Sequence, residues 1–153
     1  MTAGTEDLTA GLPPALAEIV EDFNALPVAD RLQLLLEFSQ GLPPLPTRLE
    51  GHPELMEKVE ECQSPVFVDV EVDGDERTHL HFSAPREAPT TRGFAGILAE
   101  GLEGLSAQEV LAVPGDVGSR LGLDQAVSPL RMRGLAGMLA RVKRQIRVAT
   151  ASS

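Results

Sequence analysis

Cys62 is the only cysteine in this chain of 153 residues, and it has the clearest potential for chemistry. A single cysteine excludes an internal disulfide and any zinc site built from cysteines alone. Free cysteines are most often small buried hydrophobes. Here the neighbours are polar, since two glutamates precede Cys62 and Gln63, Ser64 and Pro65 follow it. The sequence therefore favours a loop thiol that another molecule can reach.

The acidic neighbours of Cys62 bear on its reactivity. Glu57, Glu60 and Glu61 carry the same sign of charge as a thiolate, so we expect them to raise the pKa of the thiol. No histidine or arginine lies beside Cys62 in the sequence to offset them. The thiol then needs deprotonation or orientation from a folded neighbour or a partner protein. That requirement favours an acceptor thiol over the nucleophile of an independent hydrolase.

Other groups of residues offer weaker chemistry. His79 and His81 lie two apart on a predicted strand, so they share a face and could bind a metal ion, but no third ligand has recognisable spacing. Exposed histidines on a strand are the commoner alternative. The sequence lacks the glycine-rich motifs that bind nucleotide phosphates and the signature of papain-like nucleophiles. We therefore predict no metal and no bound cofactor.

The net charge of −10 is unevenly distributed. All acidic residues lie at or before Asp124, so an acidic body should repel phosphates, and a chain with neither Trp nor Tyr lacks a platform for stacking bases. We expect no nucleic-acid partner. Residues 129–147 carry only basic charges and are more simply a solvated face or a partner of the acidic body. These charges are Arg131, Arg133, Arg141, Lys143, Arg144 and Arg147.

Location is also constrained by the sequence. No run of 18 or more apolar residues is present, so we expect no membrane partner. The first residues carry acids where a secretory signal needs positive charge. We therefore expect a cytoplasmic protein whose thiol is kept reduced.

The elements that position Cys62 follow from hydrophobic periodicity. Residues 14–23 and 28–40 have helical spacing, and the proline-rich connector 42–46 is too stiff for a helix interior. Residues 66–72 alternate apolar and polar side chains, and Asp73-Gly74 predicts a turn into a returning strand over 77–83. No third strand is visible. The apolar residues of the second helix include Leu32, Leu35, Leu36 and Phe38.

Helices dominate the remainder of the chain. A helix is predicted around Phe94–Leu102, Ser106 to Glu109 form a capping box, and Ser128-Pro129 begins a terminal helix. The apolar stripe of that helix is Leu135, Met138, Leu139, Val142 and Ile146. The order of elements predicts an α+β fold in which helices pack on a small antiparallel sheet. We predict one domain over residues 12–147, with flexible segments at 1–11 and 148–153.

A set of motifs stands in a consistent order along residues 14–147. They are residues 19–23 with Asp30-Arg31, the connector 42–46, the cysteine segment 59–67, and residues 121–123 with 128–131 and 134–135. Together they resemble the SufE family of cysteine desulfuration proteins. A Cys-Gln-Ser triplet alone would be weak, but the ordered set is specific. The resemblance implies a SufE/IscU-like single domain, like the iron–sulfur scaffold proteins.

The same resemblance implies a function. Cys62 would accept persulfide sulfur from a SufS-type cysteine desulfurase, stimulate it, and pass the sulfur to iron–sulfur cluster assembly, with a SufBCD-type scaffold as a further partner. The pyridoxal phosphate would belong to the desulfurase, and the chain would be an accessory carrier rather than an independent enzyme. Gln63, Ser64 and Arg131 would support the site. Because persulfides are easily reduced or over-oxidised, we expect Cys62 to be partly covered until docking turns it outward.

The sequence departs from the SufE pattern in places. Glu61 stands where the family usually has Gly, Arg86-Glu87 where it commonly has Ser-Asp, and Phe67 where it usually has Trp. Three alternatives stay open: an adaptor that docks a desulfurase without carrying sulfur, a donor to a different sulfur-requiring pathway, and an autonomous cysteine hydrolase.

Overall fold

The computed structural model describes residues 4–151 of the chain. Its helices are α1 (Gly4–Thr9), α2 (Pro14–Asn24), α3 (Val28–Gln40), α4 (Pro89–Leu102), α5 (Ala107–Leu111), α6 (Val117–Arg120) and α7 (Pro129–Ala151). Its strands are β1 (Glu57–Lys58), β2 (Phe67–Val72) and β3 (Thr78–Ser83), with short 3-10 turns at Pro53–Leu55 and Leu123–Gln125. The predicted α+β fold with a small antiparallel sheet is confirmed.

The sheet has the order β1-β2-β3, and both pairings are antiparallel. Val68 lies opposite Phe82 and Val70 opposite Leu80, and all four side chains are buried beneath the helices. The intervening residues of both strands are polar and face outward, as the alternation of the sequence predicts. Helix α7 packs on β2 and helix α4 on β3, so the two longest helices cover the apolar face.

The turn between β2 and β3 is longer than a two-residue hairpin. The N–H of Asp73 donates to the carbonyl of Arg77 at 2.9 Å, and the Asp73 carboxylate accepts from the N–H groups of Asp75 and Arg77 at 2.8 and 3.0 Å. This side chain therefore organises the whole loop, as Asp commonly does in turns.

The sheet has a third strand, which was not visible in the sequence. Strand β1 pairs Glu57 with Val68 and Lys58 with Phe67. A strand of two residues is too short to show an alternating pattern, which is why periodicity missed it. Because β1 ends there, the N–H of Val70 donates instead to the side-chain carbonyl of Gln145 on α7, at 2.8 Å.

Helix α3 exposes one of its apolar residues and buries a charged one. Leu32 is 47% exposed, whereas its neighbour Arg31 is buried. The Arg31 guanidinium donates to the carbonyls of Phe23 at 3.1 Å and Gly122 at 3.0 Å, and to the side chain of Gln125 at 3.2 Å. These bonds compensate for burial of the charge. They join α3 to the turn before α7, a role that hydrophobic periodicity cannot reveal.

Both ends of the described chain are helical. Residues 4–9 form α1 inside the segment predicted to be flexible, and α7 continues beyond residue 147 to Ala151. Residues 1–3 and 152–153 lie outside the described residues, and the flexibility of either end stays a prediction. The capping box at Ser106 and the cap of α7 at Ser128 are both present. Across residues 4–151, no helix has both the length and the apolar character needed to span a bilayer.

Candidate functional site

Cys62 lies in the loop between β1 and β2, and this loop is fixed at both ends. The N–H of Val59 donates to the carbonyl of Val66 at 2.8 Å, and both valine side chains are fully buried. Within the loop, the N–H of Cys62 donates to the carbonyl of Val59 at 3.1 Å. These two buried valines therefore hold the ends of a short polar loop, and the Cys62 thiol is the most buried side chain within it.

Helix α7 forms the surface on which the Cys62 thiol rests. A Cβ atom at Gly134 would lie 2.9 Å from Sγ, closer than real Cβ contacts allow, so the glycine makes room for the sulfur. Cys62 is only 6% exposed, which contradicts the expectation of a freely reachable loop thiol and agrees with the expected cover in the free protein.

The thiol borders a small cavity of about 50 Å³. A buried water needs roughly 10–15 Å³ of such space, so the cavity has room for a further sulfur atom beside Sγ. Its walls come from the cysteine loop, from the start of α4 and from the first turns of α7. They are formed by Glu61, Cys62, Gln63, Ser64, Thr91, Leu130, Arg131 and Gly134.

The surroundings disfavour the charged form of the thiol. Burial, with a smaller contribution from the Glu61 carboxylate, raises the pKa of Cys62 to about 11, and the Arg141 guanidinium opposes this rise. The predicted direction is therefore present, but burial is the main cause. Of the three glutamates expected to act, only Glu61 contributes. Glu57 pairs with Arg144 on α7.

Arg141 is the folded neighbour that sequence reasoning could not name. Its guanidinium donates to the Glu61 carboxylate at 2.5 Å and to the carbonyl of Lys58 at 3.2 Å. The ion pair lowers the pKa of Glu61, so this carboxylate stays ionised beside the thiol. The basic stretch of α7 thus pairs in part with the acidic body, as predicted.

The structure brings the predicted supporting residues together around Cys62. Gln63 and Arg131 are exposed at the cavity and Ser64 is half-buried in it, although their roles stay predictions. Arg86 and Glu87 are exposed in the loop before α4 and do not line this cavity. Sequence reasoning missed the contributions of Thr91, Leu130, Gly137 and Arg141, which become neighbours of the cysteine loop only through folding.

The two strand histidines occupy separate polar clusters on the outer face of the sheet. His79 contacts the carboxylates of Asp73 and Glu103 at 2.8 and 2.5 Å, and these contacts raise its pKa. His81 joins Asp69 and Glu71 in a group whose ligand atoms lie within 4.8 Å of one another and could hold a metal ion. The guanidinium of Arg48 contacts both carboxylates of that group, at 3.0 and 2.7 Å, and so supplies a cation already.

Comparison with known proteins identifies the family. The profile described as "SufE: Fe-S metabolism associated domain" matches residues 17–146, which is most of the chain. The chain belongs to the SufE family. This membership confirms the resemblance drawn from the ordered motifs.

Relatives of this SufE-family protein are similar along most of its length. An uncharacterised SufE-like protein from Mycobacterium tuberculosis is 54% identical over 140 residues, covering 92% of this chain and 96% of that protein. SufE-like protein 1 of Arabidopsis thaliana, described as chloroplastic/mitochondrial, is 34% identical over 136 residues, which are 88% of this chain but only 35% of the plant protein. The solution structure of a hypothetical protein from Thermus thermophilus is similar with a TM-score of 0.80 at 43% identity, covering 92% and 98% of the two chains.

Proposed function

We propose that this SufE-family protein is a sulfur carrier in iron–sulfur metabolism and that Cys62 accepts sulfur from the persulfide of a pyridoxal-phosphate-dependent cysteine desulfurase. The observation that carries the proposal is the position of the single thiol against Gly134, beside a cavity with room for one more sulfur atom. Cys62 belongs to the buried core, yet its residue lines this free space. The family's association with Fe–S metabolism supplies the context.

The transfer is an exchange between two sulfur centres. The Cys62 thiolate attacks the outer sulfur of the donor persulfide, forming a new S–S bond to Sγ while the bond between the donor's cysteine sulfur and its outer sulfur breaks. The donor cysteine leaves as a thiolate and takes up the proton that Cys62 released. No external oxidant or reductant is required, because the outer sulfur changes partner without a net change of electrons.

The burial of Cys62 also supports control of its reactivity by docking. With a pKa of about 11, roughly one thiol in three thousand is ionised near pH 7.5 in the free protein. Since burial is the main cause, exposing the sulfur toward a partner would restore its acidity. Docking would thus activate Cys62 only where the donor persulfide is present, and the persulfide would be sheltered after release.

The proposed partners of the carrier are a sulfur donor and a sulfur acceptor. The donor is a SufS-type desulfurase that keeps its own pyridoxal phosphate, and the acceptor is a SufBCD-type cluster scaffold in the cytoplasm. This chain supplies the carrier thiol and stimulates the desulfurase by removing sulfur from it, and it has no turnover of its own.

The proposal is tested by incubating the protein with a desulfurase and cysteine and measuring its intact mass. We expect a gain of one sulfur atom on Cys62, reversed by a thiol reductant, and no gain in Cys62→Ser. Desulfurase turnover is measured in parallel. If Cys62→Ser stimulates turnover as well as the unchanged protein does, the chain is an adaptor and the carrier role is wrong. Thioester or peptide hydrolysis without a partner would instead support an autonomous hydrolase.

A further inference from the structure

A second feature of helix α7 lies one turn beyond the sulfur site. A Cβ atom at Gly137 would lie 2.7 Å from the Glu61 carboxylate and 3.1 Å from the Glu61 Cβ, so the Glu61 side chain is seated directly on the helix backbone. From that seat its carboxylate accepts a 2.5 Å bond from the Arg141 guanidinium. The residue that precedes the reactive cysteine is therefore held by α7 at two points.

We propose that Glu61 and Arg141, seated by Gly137, form a clamp that holds the Cys62 loop on helix α7 and so governs the reactivity of Cys62. The inference rests on the proposed sulfur transfer for its functional meaning, but its structural content stands separately. Glu61 and Arg141 are positioning residues, because they act on the sulfur by keeping its loop in place.

The contacts of Arg141 are more than those of an ordinary surface ion pair. Its side chain is only 17% exposed, and besides Glu61 it bonds the Lys58 carbonyl at 3.2 Å and approaches Glu57 at 3.4 Å. One guanidinium therefore ties both the cysteine loop and strand β1 to α7. Planar guanidinium groups suit such multiple contacts, which a lysine could not reproduce.

For substitution of Arg141, the clamp and simple electrostatics predict opposite effects on the alkylation rate of Cys62. The charged groups around Cys62 are Glu61 on its own loop and Arg131 and Arg141 on α7, while α4 contributes the neutral Thr91. Arg141 lowers the pKa of Cys62, so loss of its charge alone would leave fewer thiolates and slow alkylation. Loss of the clamp would instead free the loop and speed alkylation.

Gly137 allows the clamp to be opened without removing a charge. In Gly137→Ala the new methyl group would occupy the place of the Glu61 carboxylate and displace it from Arg141. Alanine is the better helix former, so α7 itself should not suffer. Glu61→Gly introduces the residue that is usual in the family and removes the side chain that the methyl group would displace. Adding Gly137→Ala to Glu61→Gly should therefore not change the alkylation rate any further.

The experiment measures alkylation of Cys62 by iodoacetamide in the free protein, from pH 7 to 9, for each variant. We expect Gly137→Ala and Arg141→Ala each to react about two- to fivefold faster than the unchanged protein, as loss of a partly exposed ion pair allows. Arg144→Ala is the matched control, because it removes another partner of Glu57 but leaves Glu61 paired. It should react at the unchanged rate. Circular dichroism and thermal unfolding establish that each variant is folded.

The outcomes separate the clamp from its alternatives. Slower alkylation of Arg141→Ala, or an unchanged rate in folded Gly137→Ala, would overturn the clamp. An additive effect of Gly137→Ala in the Glu61→Gly background would do the same, because the glycine would then act without Glu61. Sulfur loading from a desulfurase is measured on the same variants. A protein that shows the clamp in alkylation but never gains sulfur would refute the proposed function and leave the clamp intact.

Discussion

The high pKa of Cys62 makes a quantitative prediction about its reactivity with pH. The folded protein holds the thiol at a pKa of about 11, against an ordinary value of 9.0, because the sulfur is buried and Glu61 is near. At pH 8 the folded protein should therefore carry about a hundredfold less thiolate than the same chain unfolded. Cover of the sulfur by Gly134 and the loop can only slow the reaction further.

Alkylation rates measured from pH 7 to 10, in buffer and in concentrated urea, check this prediction. The folded protein should react at least about a hundredfold more slowly at pH 8, and its rate should rise about tenfold per pH unit without levelling off. The unfolded chain should reach about half of its limiting rate near pH 9 and approach that limit by about pH 10. Because the native pKa exceeds the unfolded one, the unfolded chain releases the proton more readily, so stability is lost as the pH rises from about 9 to 11.

One result would refute the reasoning about Cys62. If the folded protein levels off below pH 9, or reacts as fast as the unfolded chain, burial does not control the thiol. Addition of a desulfurase should speed the reaction if docking exposes the sulfur. The desulfurase alone, alkylated beforehand at its own cysteine, provides the control for reagent consumption.

Three substitutions test other parts of the structure. Arg31→Met removes the charge-assisted hydrogen bonds to the carbonyls of Phe23 and Gly122 and should lower the free energy of unfolding by about 2–4 kcal/mol in urea. Arg133→Met, at an exposed position, should not. Gln145→Leu removes the acceptor of the Val70 N–H and should cost about 1–3 kcal/mol; a loss below about 0.5 kcal/mol would contradict that role. Arg131→Ala should change stability by less than about 0.5 kcal/mol but slow sulfur loading, more at low than at high salt. An equal effect at both salt concentrations would argue against charge steering by Arg131.

The sequence predicts the fold well where local pattern and packing agree. The alternating valines of β2, the capping box at Ser106 and the apolar stripe of α7 all lie where periodicity and capping rules place them. Strand β1 is missed because its two residues gain their conformation from pairing with β2 rather than from their own pattern. On α3 the charged Arg31 is buried and the apolar Leu32 is exposed, because Arg31 donates to a carbonyl acceptor that is distant in the sequence.

The candidate site is predictable in its centre and not in its surroundings. The polar neighbours and the following strand place Cys62 in a loop before β2, and the ordered motifs place Arg131 beside it. Burial of the thiol could not be read from those neighbours, because it is produced by helix α7, about seventy residues further along the chain. The pairing of Glu61 with Arg141 is likewise a product of folding, since neither residue has a local signature that selects the other.

Helix α7 nevertheless carries a signal that connects these observations. Gly134, Gly137, Arg141 and Gln145 follow one another at spacings of three and four, so they form one stripe along the helix, directly beside its apolar stripe. The first seats the thiol, the next two hold Glu61, and the last binds β2 at Val70. A row of small and polar residues flanking an apolar stripe therefore marks where the backbone of another segment approaches a helix. In this protein that segment carries the only cysteine, so the same helix face that completes the sheet edge also sets the accessibility of the sulfur.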